Sequence, residues 1–176
     1  MTDLKKIRIM LAFLAVPLVL TACGRAEKET VTQEKILTEP PALVVSGSDE
    51  SITAMRGTYG WQYKSGKDQF TGVESDSVHP LDAQENIPAI TLQKSENPEE
   101  SGLVTLEWEE DPSEIDVTAW EPLWGDHEHA ESWGVPIAGN RFNLREGAYV
   151  YEIKAAWAEK TDYNGTVYYS FYGILE

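Results

Sequence analysis

The sequence predicts an all-β protein, an antiparallel β-sandwich standing behind a cleavable leader and a polar tether. Two observations point to the sandwich. From Pro41 onward, short segments rich in Val, Ile, Thr, Tyr and Trp alternate apolar with polar residues at a period of two. Gly, Pro, Asn and Asp break these segments at close intervals, and no stretch of similar length carries the helical period.

The first element is the leader. Lys5, Lys6 and Arg8 form a basic region, and residues 9–20 form an apolar run. That run is about a dozen residues, short of the roughly 20 that cross a bilayer as a helix, and suits a signal-peptide core. It ends in Leu20-Thr21-Ala22-Cys23, which resembles the lipobox of bacterial lipoproteins. The resemblance implies removal of residues 1–22 and a diacylglycerol, with palmitate among its chains, on the Cys23 thiol. Cys23 would then hold the protein at the extracytoplasmic face of the cell membrane. Two acyl chains anchor stably where one binds only marginally. The alternatives are an ordinary secretory signal with Cys23 incidental, or an amino-terminal anchor helix.

Residues 24–41 are polar and charged with few large apolar side chains, so the lipidated Cys23 and the run to Pro41 (23–41) read as a disordered tether. As a coil it would span about 25 Å, and about 60 Å drawn out. Residues 42–176 read as one domain of ordinary size. Its strands are predicted at 42–46, 52–64, 70–74, 89–94, 102–109, 115–121, 140–144, 148–158 and 166–175. In the strongest, Tyr149, Tyr151, Ile153, Ala155 and Trp157 share one face, with Glu152 and Lys154 on the other. Asn164-Gly165 is predicted to close a hairpin to the last strand.

Two segments make the sandwich more specific. Glu146-Gly147-Ala148-Tyr149-Val150-Tyr151 resembles the start of strand F in immunoglobulin-like domains. The resemblance implies that Tyr149 is the corner tyrosine, its hydroxyl bonded to nearby backbone, and that Tyr151 replaces the second disulfide cysteine. Leu103-Val104-Thr105-Leu106-Glu107-Trp108 puts Val104, Leu106 and Trp108 on one face, as strand C does with its tryptophan. Convergent patterning in another sandwich or a partly open barrel is the competing reading. Ile52-Thr53-Ala54-Met55-Arg56-Gly57-Thr58-Tyr59-Gly60-Trp61, Gly72-Val73-Glu74-Ser75-Asp76-Ser77-Val78-His79-Pro80-Leu81 and the ending from Tyr149 to Phe171 resemble a poorly characterised group of Firmicutes lipoproteins. They are also similar to extracellular tails of BlaR-type sensor proteins. The resemblance implies an extracytoplasmic sensing or binding module and carries no catalytic residue over.

Charge narrows the partners. The chain has 14 Lys+Arg and 30 Asp+Glu, a net −16. Such a balance disfavours nucleic acid and a second, electrostatic attachment to anionic lipid. With the sole cysteine acylated, disulfides, thiolate metal sites and cysteine nucleophiles are excluded from the domain.

Few residues suggest chemistry. Trp124-Gly125-Asp126-His127-Glu128-His129-Ala130-Glu131-Ser132-Trp133 places two histidines two apart. On a strand, His127 and His129 would face one way and could share a divalent metal with Asp126. No HExxH motif accompanies them, and a solvated polar loop is the favoured reading. The acidic run Glu107, Glu109, Glu110, Asp111, Glu114 and Asp116 lacks the calcium-loop pattern and reads as a charged turn. Ser77 and His79 lie close but on no nucleophile elbow, and His79-Pro80 reads as an extended loop pair. Trp120, Trp124 and Trp133 exceed what a small core needs, so part of this segment is expected to face a ligand. The expectation is a non-enzymatic, lipid-anchored binding or sensing domain without a cofactor. Its partner would be an envelope protein or a carbohydrate, met through residues 120–133. The alternatives are an envelope protease inhibitor or enzyme accessory acting through its loops, and a surface metal-binding protein.

Overall fold

The computed structural model describes residues 35–158 and 160–176; Cys23, the leader and the tether as far as residue 34 lie outside the described residues. Among the described residues eleven strands run in the order β1 Val44–Ser46, β2 Ser51–Thr53, β3 Met55–Gly66, β4 Gln69–Ser75, β5 Ala89–Leu92, β6 Leu103–Glu107, β7 Glu114–Trp120, β8 Ser132–Gly134, β9 Arg141–Asn143, β10 Gly147–Trp157 and β11 Tyr163–Leu175. Among the described residues the regular structure is otherwise a single 3-10 turn, Pro80–Asp82. Among the described residues no helix is long and apolar enough to cross a membrane.

The strands form two sheets that pack as a β-sandwich. One has the order β2-β1-β6-β9; the other has β4-β3-β11-β10-β7-β8, with β5 parallel to the carboxyl half of β11. Within them, β1-β6-β9 and β11-β10-β7-β8 reproduce the A-B-E and G-F-C-C′ orders of immunoglobulin-like domains, with β2 to β5 intercalated before the B position. β10 dictates much of this. Its alternation buries Tyr151, Ile153, Ala155 and Trp157 and leaves Glu152 and Lys154 half-buried on the outer face. The buried set meets Val45, Val104, Leu106 and Phe142 of the facing sheet in one core. Aromatic rings fill its ends: Trp61 lies edge-on to Trp157 at 5.4 Å, and Tyr151 stacks on Phe171 at 5.2 Å. Each buried large side chain contributes about 1.5–3 kcal/mol through apolar area removed from water, which stands in for the missing disulfide.

Every predicted strand is present, but four local expectations change. The segment 52–64 divides at the buried Ala54, whose N–H donates to the Leu43 carbonyl at 2.9 Å, so the chain passes from one sheet to the other there. Asn164-Gly165 is no turn. Both residues lie inside β11, with Gly165 opposite Trp157 on one side and Trp61 on the other. A Cβ on Gly165 would sit 2.3 Å from the Gly60 carbonyl oxygen and 2.7 Å from the Trp61 ring, so the glycine serves close approach rather than a left-handed turn. The corner tyrosine is Tyr151. Its hydroxyl accepts from the Arg145 N–H at 2.8 Å, whereas Tyr149 packs edge-on against Trp133. Trp108 follows β6, which holds the B position and not the C position, and lies half-buried between Trp157 and Tyr169.

The docked end of the tether region is a further difference. Leu37 is buried in the core cluster, and its carbonyl accepts from Trp61 Nε1 at 2.9 Å. The Pro40 and Pro41 carbonyls accept from Arg56 and from the Tyr169 hydroxyl. Residues 35–41 therefore belong with the sandwich. A short Ile36-Leu37 pair ahead of Pro40-Pro41 has no periodicity to announce this.

Candidate ligand-binding cleft

The outer face of the seven-stranded sheet is concave where Glu152 stands, and the strand register creates this region. Glu152 of β10 stands opposite Thr118 of β7 and Ser170 of β11, and Ser170 stands opposite Met55 of β3. Cross-strand partners share a face, so these four form a row across the sheet. Val150, one step along, aligns Trp120 and Tyr172 in the same way.

The chain leaving β4 passes over this row. His79 is extended (φ −57°, ψ 143°), as the following proline demands, and its Nδ1 accepts from the Leu81 N–H at 3.2 Å. Leu81 is fully buried and anchors the segment, and its carbonyl accepts from the Gly125 N–H at 3.0 Å. The His79 ring meets Trp120 edge-on at 4.8 Å and stacks on His127 at 4.7 Å. His127 Nδ1 in turn lies 3.0 Å from an Asp82 carboxylate oxygen. The tryptophan and histidine loop thus clamps the covering segment onto the sheet.

Beneath that segment is a cleft of about 440 Å³, lined by Met55, Thr58, Ser77, Val78, His79, Glu152, Tyr168 and Ser170, among others. A second cavity of about 430 Å³ shares Glu152 and Tyr168 as its wall and extends past Thr118 to Val135 and Ile137. Glu152 is the carboxylate that both cavities reach.

Burial sets the electrostatics. It pushes the Glu152 carboxyl above the usual range, an effect that the Trp120 indole N–H opposes. That N–H is itself buried and lacks a partner at hydrogen-bond geometry, so it acts on the carboxylate as a dipole rather than through a formed bond. Burial also lowers the His79 pKa; nearby His127 lowers it further, and Asp82 opposes both. His79 is held as a neutral ring at neutral pH. Ser77 donates to the Val78 carbonyl at 3.3 Å and lies 3.4 Å from Thr58 Oγ1, while the His79 Nδ1 is already engaged with Leu81. The neighbouring Ser77 and His79 are therefore not arranged as nucleophile and base.

The residues singled out from sequence reach this site unevenly. Trp120 helps hold its roof. Trp124 lies edge-on to Tyr172 at 5.4 Å, farther along the outer face. Trp133 pairs with Ala119 on the inner side, with the Arg145 guanidinium 4.3 Å from its ring. All three are half-buried, and they do not make one platform. Residues 124–129 form turns and not a strand, so the spacing of His127 and His129 does not aim them together. His129 pairs with Asp126 at 2.6 Å, which raises its pKa, while His127 turns to Asp82. Among the described residues no group of three or more His, Cys, Asp or Glu is placed to hold a metal ion. Sequence reasoning missed Glu152 and His79 as site residues. The outward position of Glu152 on β10 was readable, but the segment that roofs it comes from about 70 residues earlier.

Comparisons with known protein families, with curated proteins and with solved structures gave no match to this chain.

Proposed function

We propose that this chain is a non-enzymatic, extracytoplasmic binding module, anchored by lipid on Cys23, that receives its ligand in the cleft between His79 and Glu152. The observation that carries the reading is a cavity of about 440 Å³ with a half-buried carboxylate in its wall and hydroxyls around it. Cavities of this size and mixed lining are where small ligands bind. The separation of Ser77 from His79 as partners supports binding over acyl transfer. The anchor rests on the basic region, apolar run and Leu20-Thr21-Ala22-Cys23 motif. In this reading, residues 120–133 hold the roof of the site in place, with Trp120 and His127 packed against the His79 ring.

A fragment screen read by nuclear magnetic resonance on the full chain tests the site. Binding fragments should move the resonances of Ser170, Tyr168 and His79. Val78 lines the cleft yet is 63% exposed, so Val78→Trp should block its mouth without disturbing the core and should abolish those shifts. Fragments that bind only elsewhere, or that bind the Val78→Trp protein unchanged, would overturn the assignment.

A further inference from the structure

We infer that the cleft recognises an alkylammonium group, a primary or secondary amine in its charged form, seated on the Glu152 carboxylate. This deepens the binding reading above and rests on it.

Four observations lead to that ligand class. First, Glu152 is half-buried, and no described Lys or Arg pairs with it. The nearest cation along β10, Lys154, lies 3.7 Å from Asp116 instead. A carboxylate withdrawn from water without a counter-charge is costly, and a bound cation removes that cost. Second, an ionised carboxylate only accepts hydrogen bonds, so its ligand must bring donors; an ammonium brings donors and charge together. Third, Ser170 is 4% exposed, lines the cleft, and has no hydrogen-bond partner for its hydroxyl among the described residues. It stands directly opposite Glu152 in the register, where it can accept from the same ammonium. Fourth, the remaining lining near Glu152 is uncharged and partly aromatic. Tyr168 brings an aromatic ring to the wall, of the kind that attracts cations, and Met55 and Val78 offer apolar surface to the alkyl chain. An anionic ligand would meet Glu152 with no cation to offset it. A neutral polyol would leave the carboxylate without its counter-charge.

The ammonium could belong to a free amine or to a lysine side chain of a peptide, and the test separates the two. The full chain is titrated by calorimetry at neutral pH with pentylammonium, pentanol and pentanoate, then with a lysine-containing tripeptide. Pentylammonium should bind saturably and at least tenfold more tightly than pentanol, with pentanoate weakest. Glu152→Gln should weaken pentylammonium at least tenfold, whereas Asp116→Asn, which alters the neighbouring cavity, should change it less than twofold. The tighter of amine and tripeptide then identifies the source. Equal binding of pentanol and pentylammonium, or a Glu152→Gln protein that binds pentylammonium within twofold of the original, overturns the inference. If neutral or anionic fragments occupy the cleft while the ammonium does not, only the ligand class falls. If nothing occupies it, the binding reading falls too.

Discussion

Replacing Tyr151 by Phe removes one oxygen atom from the corner between the Arg145 turn and β10. The ring keeps its place, stacked on Phe171 at 5.2 Å and tilted against Phe142 at 5.5 Å, so no cavity opens. What is lost is the 2.8 Å bond from the Arg145 N–H. A buried hydrogen bond is worth about 1 kcal/mol net, and an amide left without an acceptor raises the cost to about 1–3 kcal/mol. Arg145 is exposed, so water can partly re-solvate its amide, which places the expected loss at about 1–2 kcal/mol. For a domain of this size that is a fall of about 3–6 °C in Tm. Tyr149→Phe, whose hydroxyl makes no such bond, should change stability by less than about 0.5 kcal/mol. Alkali offers a second readout. Burial pushes the Tyr151 phenol up to about 12 from 10.0, so the fold favours the neutral form. That stabilisation is complete below pH 10 and is lost as pH rises to about 12, by an amount on the order of 2–3 kcal/mol. Tyr169, also raised by burial, adds loss of the same sign. Urea titrations across this range should therefore show a shallower alkaline decline in Tyr151→Phe than in the original chain. If Tyr149→Phe is the more damaging substitution, or if Tyr151→Phe is neutral, the corner is wrongly assigned.

Glu152→Gln should raise stability at neutral pH. The folded-state pKa of Glu152 is raised, so its stabilising contribution is full in acid and is lost as pH rises through the folded value; the glutamine removes that loss. Its advantage should vanish below the unfolded value of 4.5, and a variant less stable than the original at neutral pH would contradict the burial argument. His79 acts with the opposite sign, since its lowered pKa makes the fold resist protonation as pH drops through 6.5. The groups facing it are His127 and Asp82, with Glu152 lining the same cleft. His79→Asn, which keeps an acceptor for the Leu81 N–H, should flatten the decline in urea midpoint between about pH 7.5 and pH 5.5; an unchanged slope would shift the responsibility elsewhere. Cys23→Ala should move the protein out of the membrane fraction, and retention after a carbonate wash would end the lipid-anchor proposal.

The β class was legible because burial in a two-layer sandwich imposes a period of two on its strands, and β10 displays it from Tyr151 to Trp157. The same rule placed Glu152 on an outer face. Turn chemistry was less dependable. Gly165 carried the signature of a hairpin, yet it is a glycine because Trp61 and the Gly60 carbonyl crowd that point of the sheet. β8 has only three residues, too few for alternation to stand out within a Trp-rich and Pro-rich loop. The three tryptophans share a segment but reach different surroundings, because the sequence passes from the outer face at Trp120 to the inner side at Trp133.

By itself, then, the sequence determined most of the strands and their inward faces, together with a net charge of −16. These follow from local composition and periodicity. The tertiary structure alone decided which strands neighbour one another, which tyrosine closes the corner and where Leu37 docks. It also decided that His79 and the loop at His127 meet over Glu152. Each of these joins residues far apart in the chain, and the free energy that selects them comes from contacts that exist only once both sheets and their connections are assembled.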